Sequence, residues 1–215
     1  MLSLLTTRVH VAIVLPWILL TSAAYGQLPA TRLGSVFPLS ANPGQSIELS
    51  IGGVDLDDVQ TLVFSHAGMT AKQKMAEPGP FDEGPQPVAG TFVVNIAGNV
   101  PIGRHEVRAV GKYGVSNPRT FFVTDLQCAQ ESEPNNENET ATAIELPASV
   151  SGQLATAADT DLYQFTASAN QRIILDCLAR RADSQADAVV VVYDSAGREV
   201  GNSRDAYRGD PLLDF

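Results

Sequence analysis

Six oxygen-bearing side chains fall into two short segments in the second half of the sequence: Glu131, Glu133, Asn135 and Asn136, then Asp159 and Asp161. Calcium is a hard cation that takes about six to eight oxygens from carboxylates, amides and carbonyls, so the set has the makings of a calcium cage. Alternate residues of an extended segment point the same way, which lets Glu131, Glu133 and Asn135 converge on one ion. A solvated acidic linker, with Asp159 and Asp161 shaping a turn, accounts for the same residues, and both readings stand at this level.

Other chemistry is sparse. No Gly-x-Ser-x-Gly elbow occurs, and His105-Glu106 lacks the second histidine four residues on that a zinc-protease helix needs. His66 and His105 are isolated in the sequence, and both read as surface or structural residues. No catalytic residue is therefore assigned, and the chain reads as a non-enzyme. Cys128 and Cys177 admit two readings in an exported chain: a disulfide pinning one segment to another, or a buried free thiol at Cys177. The sequon Asn138-Glu139-Thr140 reads as a chance match.

Charge and composition narrow the partners. Fourteen Lys plus Arg against 24 Asp plus Glu give a formal net charge of −10, the wrong sign for nucleic acid. An apolar share of 44% argues against disorder. Arg8, the apolar run Val9 to Leu20 and the small residues around Ala23-Ala24 form a secretory leader over residues 1–26. That run is shorter than the ~20 residues of a membrane-spanning helix, so no stable span is expected after cleavage. The expected location is secreted, periplasmic or cell-surface.

The elements that must position these residues read as strands. Ser46 to Ile51 alternates polar and apolar, as does Thr91 to Ile96 with Phe92, Val94 and Ile96 facing inward. Further strands are read at Leu62–Phe64, Gly103–Val110 and Arg119–Val123, separated by turn residues such as Asn42-Pro43-Gly44 and Asn117-Pro118. Residues 30–125 are thus expected to form one antiparallel β-sandwich. The stretch from Glu77 to Pro87 holds four prolines and three acids and reads as a loop. Residues 126–145, acidic and amide-rich, read as a linker. Strands resume over 146–215 at Val150–Leu154, Leu162–Thr166, Arg172–Ala179, Val189–Tyr193 and Arg198–Gly201. The unbroken run Val189 to Tyr193 predicts a central strand covered on both faces, closed by a hairpin turn at Asp194-Ser195-Ala196-Gly197.

Several spaced motifs in the second region agree with one family: Glu133-Pro134-Asn135-Asn136, Ser151-Gly152-Gln153-Leu154, Asp159-Thr160-Asp161-Leu162-Tyr163-Gln164-Phe165 and Tyr193-Asp194-Ser195-Ala196-Gly197. Residues of about 130–215 resemble the bacterial pre-peptidase C-terminal domain. The resemblance implies a non-catalytic, jelly-roll-like β-sandwich that accompanies secreted peptidases and other exported enzymes. It also implies a Gly-x-Tyr-x-Val strand after Pro211–Phe215, so the second sandwich is expected to be incomplete at Phe215. Collagen-binding domains of secreted collagenases, similar to this family, hold calcium with an arrangement like that of the six residues named above. Ser35-Val36-Phe37-Pro38, Pro43-Gly44 and Gly103-x-His105-x-Val107 make the first region similar, more weakly, to immunoglobulin-like domains of the transcription-factor and plexin type.

The expectation is thus an all-β chain of two sandwiches that serves as a secreted or surface binding and targeting module, its partner an extracellular protein or polysaccharide. The alternative is an accessory region preceding the catalytic domain of a secreted peptidase or other hydrolase.

Overall fold

The computed structural model describes residues 28–156 and 159–215, and the leader read in residues 1–26 lies outside them. The fold is all-β. The first region contains β1 (Arg32–Phe37), β2 (Ser40–Ala41), β3 (Ser46–Val54), β4 (Val59–Phe64), β5 (Met69–Ala76), β6 (Gln86–Ile96), β7 (Gly103–Gly111), β8 (Gly114–Val115) and β9 (Arg119–Val123). They form two sheets, one in the order β1-β3-β6-β5 and the other β2-β9-β7-β4, with β8 on β7.

The alternation read in the sequence decides which side chains meet between these sheets. Leu49 of β3 and Phe92, Val94 and Ile96 of β6 are buried, while Ser46, Glu48 and Asn95 face out. Val107 and Phe121 answer from the opposite sheet, and Phe64 meets Phe121 edge to face with ring centroids 6.1 Å apart. Glu77–Pro85 is an exposed loop between β5 and β6, and Gln86 and Pro87 belong to β6, where Pro87 lies opposite Met75 beside a register shift. A proline there is tolerated because the ladder is already irregular.

The second region is built differently. It comprises β10 (Gln127–Gln130), β11 (Thr142–Ala143), β12 (Ala148–Ser151), β13 (Tyr163–Gln164), β14 (Ile174–Asp176), β15 (Val190–Tyr193), β16 (Glu199–Ser203) and β17 (Leu212–Asp214), with short 3-10 turns at Asn138–Thr140 and Arg180–Ala182. Its sheets have only two strands each: β10-β12 and β11-β13 are parallel, β14-β17 and β15-β16 antiparallel. Residues 126–145, read as a linker, contain β10 and β11, which pair with the later strands β12 and β13. Nothing in the residue spacing announces the two parallel pairs.

The run Val189 to Tyr193 is also corrected. Strand β15 pairs with β16 alone; Val192 is 8% exposed, whereas Val189 is 56% and Tyr193 61% exposed. Among the described residues, nothing covers its second face, and a continuous apolar run cannot by itself report how many layers pack on it. The turn that follows is as read: Gly197 N donates to Asp194 O, and Gly197 has a φ of 76°.

Polar contacts seat the two regions on each other. Leu39 N donates to Ser151 Oγ at 3.1 Å, and the Ser40 and Ser149 hydroxyls lie 3.0 Å apart. At a second point Asp183 Oδ2 accepts from Thr120 N at 2.8 Å and Thr120 Oγ1 at 2.6 Å, while Arg119 Nη1 donates to the Asp183 carbonyl. Asp183 has a φ of 65°, a left-handed conformation that Asp tolerates better than most residues. Two-stranded sheets are marginal in isolation, so these contacts carry a real share of the second region's order.

Candidate metal centre

The acidic residues meet where the chain passes from one region to the other. Glu131 directly follows β10, and its N–H donates to Ser151 O, which extends the β10-β12 pairing by one residue. Asp161 precedes β13, and Leu162 N donates to Asn135 O at 2.9 Å, so the two acidic segments are tied by backbone. Carboxylate oxygens of Glu131, Glu133 and Asp161 all lie within 4.8 Å of one another. Among the described residues, neither these three nor Asp159 makes an ion pair with Lys or Arg.

The other three residues read from the sequence are placed differently. Asn135 is fully buried, and neither its side-chain oxygen nor its nitrogen has a hydrogen-bond partner; Asp161 Oδ1 is likewise buried and unpartnered. Asn136 and Asp159 pair with each other instead, Asn136 Nδ2 donating to Asp159 Oδ1 at 3.2 Å, while Asp159 Oδ2 accepts from Ala155 N. They stand beside the cluster of three carboxylates, near enough for the Asp159 charge to act on Asp161.

Electrostatics mark the same spot. Burial, followed by the charges of Glu131, Asp159 and Glu133, pushes the Asp161 carboxyl up to about 6. Tyr163 is raised above the ordinary phenol value by burial and by the Glu131 charge. Its hydroxyl donates to Glu131 Oε2 at 3.1 Å, and the Gln153 N–H donates to Glu131 Oε1. Both oxygens of Glu131 are thus held from behind, as the second shell of a metal site holds its ligands. Gly152 makes room for this: a Cβ there would clash with the Tyr163 hydroxyl and lie 2.6 Å from Glu131 Oε2.

The donor set fits a hard cation: three converging carboxylates, a buried amide oxygen without a partner, and no compensating base. An unpaired buried amide costs free energy unless something satisfies it. Sequence reasoning missed Tyr163, although its place two residues after Asp161 puts both on one side of an extended segment. The Gln153 contact comes from backbone, which residue types do not announce.

The remaining chemistry-bearing residues lie elsewhere. His66 and His105, distant in sequence, have ring centroids 6.1 Å apart; His105 is buried with Nε2 donating to Pro101 O at 2.8 Å, and His66 Nδ1 accepts from Gly68 N. Cys128 and Cys177 are both half-buried free thiols in this structure. Cys128 sits on β10 beside Ser40, whereas Cys177 bonds through its backbone to Pro211 and Arg181, so each has its own surroundings. Burial raises the Cys177 thiol above its ordinary value. Among the described residues, no helix is long and apolar enough to cross a membrane.

No protein-family model matches the chain, and no curated protein matches it. Among solved structures, the chain is similar to the SGBP-B protein of the Bacteroides ovatus mixed-linkage glucan utilization locus, solved in complex with a mixed-linkage heptasaccharide. Identity is 11%, the match covers 88% of this chain and 36% of that one, and the TM-score is 0.32. A likeness that slight assigns neither fold nor ligand.

Proposed function

We propose that the chain is a non-catalytic, exported binding and targeting module whose second region is a calcium-stabilised sandwich of the pre-peptidase C-terminal type. The observation that carries the calcium reading is the meeting of Glu131, Glu133 and Asp161, to which buried Asn135 is tied by its N–H donating to Glu133 Oε2 at 3.0 Å while its own amide has no partner. Three carboxylates at that separation repel one another, and a divalent cation would relieve the repulsion while giving the Asn135 amide oxygen a partner.

The thin core supports a stabilising role for the ion. The main apolar cluster belongs entirely to the first region, whereas among the described residues of the second the buried apolar side chains are Ile173, Ala179, Ala182, Val192 and Pro211. An ion that joins the entry segment to the segment before β13 would supply a cross-link where apolar burial is scarce. The motif from Glu133 to Asn136 and the one from Asp159 to Phe165 are the segments that meet at the cluster, which supports the family resemblance by placement.

Binding to immobilised collagen, cellulose, chitin and cell-wall material, with and without calcium, tests the module reading. Retention on one of these that weakens in chelator supports it; no retention on any of them counts against it.

A further inference from the structure

The turn before β17 holds an arginine in an unusual conformation. Tyr207 and Asp210 exchange backbone hydrogen bonds of 3.0 Å in both directions, and the two residues between them, Arg208 and Gly209, have φ values of 53° and 81°. Positive φ at both central positions is the geometry of a type I′ turn, which favours Asn-Gly. Gly209 conforms. Arg208 adopts a left-handed backbone that its side chain disfavours, and such outliers cluster at functional positions.

The base of the turn is fixed. Buried Asp210 accepts from Arg180 N at 2.7 Å, Arg181 N at 2.9 Å and Arg181 Nε at 3.0 Å. The Arg181 guanidinium lies 5.0 Å from the Tyr207 ring centroid and that of Arg208 5.4 Å away. Among the described residues of the second region, Arg172, Arg180, Arg181, Arg198 and Arg204 each form an ion pair, and Arg208 forms none. Its side chain is exposed. The turn therefore presents a single unpaired guanidinium, steadied against an aromatic ring, with its fork of donors open to solvent.

We infer that Tyr207 and Arg208 form a binding subsite for the carboxylates of an acidic polysaccharide, a polymer of uronic acid residues. A planar guanidinium grips a carboxylate through two parallel hydrogen bonds. One such contact is too small for a stable protein partner, which needs about 800 Å² on each side, whereas a polymer that repeats its carboxylate offers a single guanidinium many equivalent sites along its length. The net charge of −10 opposes any general attraction to a polyanion, so binding would have to be local. This inference rests on the binding-module reading and names a ligand class for it; it does not depend on calcium.

The test uses the whole chain in chelator-containing buffer over immobilised polygalacturonate, with dextran as the neutral control and polyglutamate as the acidic peptide control. The expected result is retention on polygalacturonate alone, reduced about tenfold in Arg208→Asn and unchanged in Arg198→Ala, whose arginine already pairs with Asp194. Because Asn suits a type I′ turn, Arg208→Asn should melt no lower than the parent, which separates lost binding from lost folding. Equal binding by Arg208→Asn, or retention on polyglutamate as strong as on polygalacturonate, overturns the inference. Failure on polygalacturonate with retention on collagen, cellulose or chitin overturns it while leaving the module reading intact.

Discussion

The Tyr163 hydroxyl donates to Glu131 Oε2 at 3.1 Å, so a strand of the second region holds the first carboxylate of the entry segment in place. Gly152 is the residue that permits this approach. Gly152→Ala would drive a methyl group into both partners, and the expected cost is about 1–3 kcal/mol of stability together with a weaker calcium response. Chemical denaturation with and without calcium checks this. Tyr163→Phe, which keeps the ring and removes the bond, should weaken the calcium response with a smaller loss of stability.

Asp183 and Thr120 test the seating of the two regions. Asp183→Ala leaves the buried Thr120 N–H without its partner and puts alanine at a φ of 65°. The expected destabilisation is about 2–4 kcal/mol, from an unsatisfied donor and an unfavourable backbone. Asp183→Asn keeps an acceptor and a residue that tolerates the left-handed region, so it should cost clearly less. Denaturant melts of the whole chain read both, and equal losses in the two variants would contradict the latch.

The raised Asp161 carboxyl predicts an inverted pH response in metal-free protein. Its folded-state value of about 6 stands above the ordinary carboxyl value of 3.8, so between these limits the folded state holds the proton more tightly than the unfolded one. That contribution is present at the low end of the window and is lost as pH rises through about 6. Asp187, Asp194, Asp210 and Asp214, all lowered, act below the window, where their stabilisation is lost as pH falls. Melting temperatures from about pH 4.5 to about pH 6.5 should carry a downward component that Asp161→Asn removes.

The uncovered face of β15-β16 predicts dye binding. Val189, Tyr193 and Val200 are exposed without a covering layer, and exposed apolar patches of this kind promote association. The whole chain should bind an environment-sensitive hydrophobic dye while still folded. Val189→Lys should reduce that signal and change stability by no more than about 0.5 kcal/mol.

The sequence makes the first sandwich legible because one face of each strand is buried and period-two alternation records it, as at Ser46 to Ile51 and Thr91 to Ile96. It misleads at Val189 to Tyr193, where β-branched residues occupy a strand with only one covered face. The carboxylates of the acidic cluster are legible because residue type and alternate spacing bear directly on ligation. Tyr163 is a neighbour that the same spacing already contained. The Gln153 N–H contact and the Asp183–Thr120 latch are not, since one is backbone and the other joins residues far apart in the chain. The His66–His105 pair and the strained Arg208 turn depend likewise on tertiary placement or backbone conformation.

Calorimetric titration of the metal-stripped whole chain with calcium, paired with its thermal melt, tests the central claim most directly. The account predicts saturable calcium heat and a rise in stability of about 2.7 kcal/mol at a free calcium concentration one hundred times the dissociation constant. Magnesium should do less, because it keeps its waters and resists a cage of many protein oxygens. Glu133→Ala and Asp161→Ala should each weaken both signals, and Glu145→Ala, outside the cluster, should leave them unchanged. Absence of calcium heat together with an unshifted melt would contradict the account and leave a solvated acidic segment in its place.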